Sequence, residues 1–499
     1  MNIPSFMYLI IFPLASSPLV YLVGRLWPRT FLARGVALLS ILLTWIPFVI
    51  TVQIALAGGK QEFSIETIWL RLDGIGLLLT GSVLLLGTLV ILFSGRYMAG
   101  EVGEEKYYAM LLAMMGMIIG LGCATDLFNL WVWFEGMAIS SYLLVAFYRE
   151  QPASLEAGIK YLVQSALGSV LVLMGIALVF SQARVLDIFA VREAVSKSDM
   201  NRVVLLAAGA LFFIGFGVKA ALVPMHTWLP DAHSQAPSGI SAMLSGVVIE
   251  AGLIAMLRAL SALSGFSVSW GLLLLVFGAI NILYGNLLAL RQTVVKRMLA
   301  YSSLSHIGYM LVGLGVALYA GNELSAQGAF FHLFNHLLMK GLAFLAVGAW
   351  IYGVFLQNGS HASPTLEDMA GTAQRYPLIA LALSVALLGL GGLPPLAGFM
   401  SKWQIFTAGF QTENVPIMLL MIFMALNSVL SLAYYAPLIN RIYRNEPSQP
   451  VLNGKAIPFT LLLPLMILTF LIIVFGFTPG LANWFTKFAS GSFFVMFGM

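Results

Sequence analysis

The sequence predicts an all-α polytopic membrane protein, and two observations carry that prediction. The chain has 499 residues, of which 60% are hydrophobic and only 9% are charged, whereas soluble domains have about 25% charged residues. Apolar runs of roughly 20 residues, the length that crosses a bilayer as a helix, recur along the whole chain. A membrane β-barrel would instead show shorter segments of alternating polarity.

Fourteen membrane segments are predicted. In chain order they cover approximately 3–23, 33–56, 73–95, 107–124, 126–148, 157–181, 203–223, 240–262, 268–290, 297–319, 327–352, 376–411, 418–440 and 458–479. The first has no basic region before it, so we expect a retained span and not a cleaved signal peptide. The loops are short, and we therefore expect a single transmembrane domain over 1–499.

Two of the predicted segments are interrupted by proline. The stretch FIGFGVKAALVPMHTWLPDAHSQAP breaks the seventh segment at Pro224, and GLGGLPPLAGF breaks the twelfth at Pro394 and Pro395. Lys219 comes just before the first break, and Lys402 comes just after the second. Prolines alone kink many helices, but interrupted helices in corresponding places indicate repeats around a central site.

The spacing of the breaks predicts how the chain is divided. The two interrupted segments are five apart, an odd number, so two five-helix units would have opposite orientations in the membrane. We predict helices 1–3 in 1–106, repeat one in 107–262, repeat two in 268–440 and helix 14 in 458–479.

The basic loop residues predict the orientation. One side of the membrane has 14 of them: Arg25, Arg29, Arg34, Arg96, Lys106, Arg149, Lys160, Arg291, Lys296, Arg297, Arg375, Arg441, Arg444 and Lys455. The other side has eight: Lys60, Arg71, Arg184, Arg192, Lys197, Arg202, Arg258 and Lys487. Since positive loops stay in the cytoplasm, we expect both termini to be external.

Five ionisable residues fall inside predicted spans: Glu135, Lys219, Glu250, Lys340 and Lys402. A charge at a span centre costs about 2.5–3.5 kcal/mol on insertion scales, and such residues therefore usually serve a function. The alternative is that they join helices or extend toward the membrane surface.

Histidines add groups that titrate near neutral pH. The spacing of HLFNHLLMK puts His332, His336 and Lys340 on one helix face, four residues apart. His306, in AYSSLSHIGYM, is equally compatible with packing. Such a polar stripe suits proton relay, in which a lysine paired with a carboxylate holds its proton and releases it when the partner is lost. Zinc is the alternative for the two histidines, but no third ligand and no HExxH motif are evident.

Composition also limits the cofactors and partners. The single cysteine, Cys123, excludes an internal disulfide, a cysteine-bound iron–sulfur cluster and a CxxC zinc site. The net charge of +5 is scattered through short loops and does not suggest nucleic acid. We expect no cofactor and no metal.

Several motifs together resemble the antiporter-like subunits of respiratory complex I, the large Mrp sodium/proton antiporter subunits and their membrane-bound hydrogenase relatives. They are LFNLWVWFEGMAISSYLL, GVKAALVPMHTWLPDAHSQAPSGISAMLSG, KRMLAYSSLSHIGYMLVG, FHLFNHLLMKGLAFL and GLPPLAGFMSKW. The resemblance covers essentially the whole chain. It implies fourteen core helices, two inverted five-helix repeats and a central row of polar residues.

The resemblance also implies roles for individual residues. Glu135 matches the family's glutamate of the fifth helix, and Lys219 matches the lysine of the broken seventh helix whose proton affinity that glutamate modulates. His332, His336 and Lys340 match the polar helix that leads into the second half, and Lys402 matches the terminal residue of the broken twelfth helix.

Glu250 departs from the family pattern. Its position in the eighth helix is commonly lysine or histidine, and a carboxylate changes the order of charges along the row.

The expected function is therefore that of a proton-translocating subunit in a complex I-type redox pump, or in a related hydrogenase, without a redox centre of its own. Its partners would be other membrane-arm subunits, lipid, protons and possibly Na⁺. Its length favours a medium-length family member in a bacterial or archaeal inner membrane. Two alternatives remain: a subunit of an Mrp-type Na⁺/H⁺ antiporter, and a transport-inactive structural subunit.

Overall fold

The computed structural model describes residues 3–27, 30–59, 61–65, 68–197, 200–265, 269–356 and 359–499. Arg29, Lys60 and Val268, which belong to the predicted loops and to the predicted ninth segment, lie outside the described residues.

The elements of the first half are α1 Ser5–Leu26, α2 Thr30–Leu56, β1 Glu62–Ile65, β2 Ile68–Arg71, α3 Gly74–Tyr97, α4 Glu104–Cys123, α5 Leu127–Val145, α6 Pro152–Ala183, α7 Ile188–Lys197, α8 Arg202–Lys219, α9 Trp228–Gln235, α10 Ser238–Met243 and α11 Ile249–Ser261. A π-helical turn, Leu244–Val248, joins α10 and α11 into one continuous span, Ser238–Ser261.

The elements of the second half are α12 Trp270–Leu290, α13 Val295–Ala320, α14 Glu323–Val354, α15 Thr372–Arg375, α16 Pro377–Gly391, α17 Ala397–Phe410, α18 Val415–Ile442, α19 Gln449–Asn453, α20 Phe459–Phe477 and α21 Asn483–Phe497. A 3₁₀ turn, Pro479–Ala482, precedes α21.

The predicted membrane architecture is confirmed. Within the described residues, 12 helices are long and apolar enough to cross a bilayer. The 19-residue helix α5, which contains Glu135, and the broken pair α16–α17 correspond to the remaining two predicted segments. The fold is therefore an all-helical polytopic bundle.

Several small elements were not predicted, including β1, β2, α7 and α21. β1 and β2 form an antiparallel hairpin whose ends are joined by an ion pair between Arg71 and Glu62 at 2.8 Å. The residues of α7 were predicted to be a loop, and those of α21 were predicted to be a C-terminal tail. α21 packs on α3, where the Gly74 backbone N–H donates to Ser492 Oγ at 2.9 Å. These elements are too short for span-length hydropathy to detect, because that signal requires roughly 20 apolar residues.

The most buried helices lie at the centre of the bundle. The most apolar stretch of Ser238–Ser261 is 100% buried and that of α14 is 94% buried, against 33% for α1, α2, α18 and α20. Since α14 carries the His332, His336 and Lys340 stripe, the predicted polar face points into protein and not into lipid.

The break between α8 and α9 is stabilised by side chains from other elements. Ala221 has a positive φ of 55°. The backbone N–H of Val223 donates to Asn281 Oδ1 on α12 at 2.9 Å, and Trp228 Nε1 donates to Val218 O at 2.8 Å. Non-helical backbone at membrane depth is tolerated where protein groups satisfy it in this way.

The break between α16 and α17 binds the lysine that follows it. Gly392 has a φ of 78°. Lys402 Nζ donates to Leu390 O at 2.9 Å, and Ser428 Oγ donates to Gly391 O at 3.1 Å. The carbonyl oxygens left free at the end of α16 thus accept hydrogen bonds from a buried ammonium group and from a hydroxyl.

Two basic residues predicted in loops are in fact buried inside helices. Lys296 is 1% exposed and donates to Ala236 O at 2.9 Å. Arg258 is 4% exposed and forms an ion pair with Asp73 at 2.8 Å. Both were placed in loops because their side chains lie near span ends in sequence. One residue is lost from each side of the membrane, so the charge bias that predicts the orientation is retained.

Glycines allow α6 and α8 to approach closely just before Lys219. A Cβ atom on Gly215 would lie 2.6 Å from Gly168 O, and a Cβ atom on Gly168 would lie 2.7 Å from Gly215 O. Small residues at helix interfaces permit this backbone contact in membranes.

We expect Gly215→Ala to lower the Tm of the purified protein, because overpacking at a close contact costs about 1–3 kcal/mol. Gly35→Ala is the matched control, since a Cβ atom there meets nothing within 4 Å and alanine favours a helix over glycine by about 1 kcal/mol. Melting followed by intrinsic fluorescence compares the two. A Tm of Gly215→Ala equal to or higher than that of Gly35→Ala would contradict the close-contact interpretation.

Candidate functional site

Lys219 is the last residue of α8 and is fully buried. Its ammonium donates to Tyr161 Oη at 2.8 Å and to Ser165 Oγ at 2.9 Å, both on α6, and to Ser141 Oγ on α5 at 3.4 Å. It also lies 4.3 Å from the centroid of the Tyr161 ring. Three hydroxyls and an aromatic face therefore replace water around this group.

Glu135 does not contact Lys219 directly. Both residues are described, and they form no salt bridge; Glu135 Oε2 has no hydrogen-bond partner among the described residues. The predicted switch between this carboxylate and this ammonium therefore has no direct contact in this structure and stays a prediction.

Glu250 pairs with the stripe on α14. Its Oε1 lies 2.8 Å from His336 Nδ1, and both side chains are fully buried. Glu250 Oε2 and His336 Nε2 have no hydrogen-bond partner among the described residues. The pair therefore has one oxygen of the carboxyl group and one nitrogen of the imidazole available for further hydrogen bonds.

Two more histidines continue the row. His306 Nδ1 on α13 lies 3.0 Å from His332 Nε2, and His332 Nδ1 lies 2.9 Å from Ser401 Oγ on α17. The His306 ring is 5.2 Å from the rings of both His332 and His336. His306 is thus placed between the two stripe histidines and belongs to the row.

The two remaining lysines lie at different points of the same network. Lys340 donates to Leu299 O at 2.6 Å and to the Ser302 hydroxyl. Lys402 donates to Ser428 Oγ at 2.9 Å in addition to Leu390 O, and it faces the Tyr309 ring at 4.7 Å. Because Ser401 precedes Lys402 in the chain, the histidine contacts end beside this second ammonium.

The first and second parts of the row meet where α11 packs on α8. A Cβ atom on Gly252 would lie 3.1 Å from Lys219 Cβ, and Gly252 is two residues from Glu250. The structure thus brings Glu250, His336, His332 and His306 into one cluster, which Lys402 approaches through the Tyr309 ring. Lys219 lies outside this cluster, on the helix that α11 packs against.

Several polar residues of the site were missed from sequence. Tyr161 and Ser165 accept hydrogen bonds from Lys219, and Ser302 accepts one from Lys340. Ser428 accepts a hydrogen bond from Lys402, and Ser401 contacts His332. The only signal was the four-residue spacing of Tyr161 and Ser165 within an apolar helix, which is also common in ordinary packing.

The chemistry available to this row is acid–base. Within the part of the chain that the structure describes, no group of three or more His, Cys, Asp or Glu is arranged to hold a metal ion. Imidazoles accept a proton at one nitrogen and release one from the other, and hydroxyls both donate and accept hydrogen bonds. The arrangement suits proton transfer between buried groups.

We expect Glu250→Leu to lower the free energy of unfolding by about 1–3 kcal/mol, because it leaves a buried His336 nitrogen without its partner. Glu250→Gln keeps a hydrogen-bonding oxygen at the same place and should lose much less. Thermal melting of the two purified variants measures the difference. Equal stabilities would show that the contact with His336 does not contribute.

Comparison with known proteins agrees with this geometry. Residues 124–431 match the protein family described as NADH:quinone oxidoreductase/Mrp antiporter, TM. NADH-quinone oxidoreductase subunit N of Desulforamulus reducens is 34% identical over 398 residues, which cover 79% of each chain. F(420)H(2) dehydrogenase subunit N of Methanosarcina mazei is 30% identical over 430 residues, 85% of each chain.

Solved structures share the fold over nearly the whole length. A chain of the archaeal membrane-bound sulfane sulfur reductase superposes with a TM-score of 0.86 at 28% identity, covering 98% of this chain and 99% of that one. A chain of respiratory complex I from Thermus thermophilus gives a TM-score of 0.76 at 25% identity, covering 96% and 98%. The chain therefore belongs to the NADH:quinone oxidoreductase/Mrp antiporter family of membrane subunits and is a complex I-type, subunit N-like member of it.

Proposed function

We propose that this chain translocates protons along its buried polar row as a subunit of a redox-driven, complex I-type pump. The observation that carries the proposal is the buried cluster in which Glu250 contacts His336, the His306 ring lies beside those of His336 and His332, and Lys402 faces the Tyr309 ring next to His332. A structural role alone does not require three imidazoles and two ammonium groups in one buried cluster, because burying each of these groups costs free energy.

In this mechanism Lys219 takes up and releases the proton that enters the row. Glu135 modulates it, and the carboxyl of Glu250 passes the proton on to His336. The histidines and Lys340 relay the charge toward Lys402, at the far break. Energy arrives from neighbouring subunits as an electrostatic or conformational change, since the buried row contains no redox-active group of the protein.

The relatives support the choice of parent complex. They are named as subunits of NADH-quinone oxidoreductase and of F(420)H(2) dehydrogenase, and we propose an equivalent position for this chain beside other membrane-arm subunits. The excess of basic loop residues supports a bacterial or archaeal inner membrane with both termini external.

We expect Lys219→Ala and Glu135→Ala each to abolish proton translocation while the complex still assembles. The first change removes the buried ammonium, and the second removes the charge that modulates it. Proton movement is measured with a pH-sensitive dye in proteoliposomes that contain the purified complex, driven by its own electron donor. Lys106→Ala, which alters an exposed lysine, is the control and should pump normally. Wild-type pumping in either assembled site variant would disprove the mechanism.

The composition of the purified complex distinguishes the parent assemblies. Quinone-reducing or hydrogenase subunits that copurify with the chain would support the redox-driven pump. A set of small antiporter subunits without redox partners would instead support an Mrp-type Na⁺/H⁺ antiporter. Normal pumping in all the site variants would support the transport-inactive structural subunit.

A further inference from the structure

The buried stripe on α14 continues toward the side of the membrane with more basic loop residues, here called the basic side. His332, His336 and Lys340 repeat every four residues, and the next two positions of that face are Phe344 and Gly348. Neither is polar itself. Other elements supply polar side chains at both positions, so the stripe extends beyond the residues that the proposed mechanism uses.

At the first of these positions His233 of α9 covers α14. Its ring stacks on Phe344 with a centroid distance of 4.7 Å and an interplanar angle of 10°, one helical turn beyond Lys340. His233 is 0% exposed, and neither ring nitrogen has a hydrogen-bond partner among the described residues. A fully buried imidazole without protein partners is normally served by water or by a transported ion.

At the second position, Gly348, the Ser238 side chain fills the space that a larger residue would occupy. A Cβ atom on Gly348 would lie 2.5 Å from Ser238 Cβ and 3.0 Å from Ser238 Oγ. The Ser238 hydroxyl lies 3.4 Å from Tyr97 Oη at the end of α3. Ser238 is 0% exposed and Tyr97 is 3% exposed, so these hydroxyls extend the polar line by another turn inside the bundle.

The line reaches the surface at a pair of titratable groups. Glu101 follows Tyr97 by four residues, and its Oε1 lies 3.5 Å from His361 Nε2. Both side chains are partly exposed, at 23% and 13%. His361 stacks on Tyr148 at 3.9 Å and lines a surface cavity of about 520 Å³ together with Gln235, Arg297 and Ser363.

The electrostatics of this mouth favour neutral, exchangeable groups. Burial raises the pKa of the Glu101 carboxyl. Burial and the positive charge of Lys296 lower the pKa of the His361 imidazole. Lys296, buried against Ala236 O, also lies close enough to His233 to act on its charge.

We infer that Glu101, His361, Tyr97, Ser238 and His233 form a water-filled proton access route from the basic side to Lys340. This inference rests on the proposed proton transport and adds a second point of proton entry, at Lys340, to the one at Lys219. A proton from the cavity reaches the Glu101–His361 pair, passes the Tyr97 and Ser238 hydroxyls through hydrogen-bonded water, and binds one His233 nitrogen. The other nitrogen releases a proton toward Lys340, so the imidazole returns to its neutral state.

Thiol accessibility tests the water route without relying on transport. In a Cys123→Ala chain within the assembled complex, Ser238→Cys is compared with Ser154→Cys, a serine on α6 that is also 0% exposed and whose hydroxyl donates to Val145 O at 3.2 Å. The probe is 2-aminoethyl methanethiosulfonate, added to the basic side of membrane vesicles. We expect Ser238→Cys to react about tenfold faster or more, because a thiolate forms in water and not in apolar surroundings. Equal, slow reaction of both variants would overturn the route.

Proton uptake tests whether protons use the route. We expect His233→Phe and His233→Gln to slow translocation on the order of a hundredfold, as loss of a proton-transfer group typically does, while assembly is retained. Two variants are used so that a folding defect in one does not decide the result. Wild-type uptake in an assembled His233 variant would overturn the inference.

The two proposals fail in different ways. Reactive Ser238→Cys together with normal pumping by Lys219→Ala would overturn the proposed function and leave the water route in place. Unreactive Ser238→Cys together with inactive Lys219→Ala would overturn the route and leave the function in place.

Discussion

Hydrogen bonds from buried ammonium groups to hydroxyls and to carbonyls at helix ends are the interactions on which the rest of this structure depends. An ammonium in an apolar bundle is tolerated only if protein groups replace its hydration. Lys219 uses the hydroxyls of α5 and α6, and Lys402 uses a carbonyl at the end of α16. The close glycine contact of α6 with α8 and the breaks in the two helices lie beside these ammonium groups and place their hydrogen-bond acceptors.

The two breaks are asymmetric in sequence and alike in space. Lys219 precedes its break and Lys402 follows its own, which weakens a simple repeat argument. Lys402, however, reaches back to Leu390 O, beside the C-terminus of α16, while Lys219 is itself the last residue of α8. Each ammonium group is therefore carried or bound by the end of the first half-helix, where the helix dipole favours positive charge. The two repeats, 107–262 and 268–440, stay a prediction.

Glu250 takes on a clear structural role once its partner is known. In sequence it disturbs the expected order of basic groups along the row. In the structure it hydrogen-bonds to His336 and keeps one carboxyl oxygen free. A carboxyl group beside an imidazole can exchange a proton with it directly, so Glu250 suits the proton relay that we propose for the row.

Hydropathy and residue spacing alone determined the membrane class, all fourteen segments, both helix breaks and the stripe of His332, His336 and Lys340, because these depend on local composition and helical period. Only tertiary structure decided that Glu135 does not touch Lys219, that Lys296 and Arg258 are buried, and that His306 joins the row. It also decided that His233 and Ser238 cover the next turns of α14. These contacts join residues from 26 to more than 100 positions apart, and the spacing of a single helix contains no information about which neighbour fills a gap on its face.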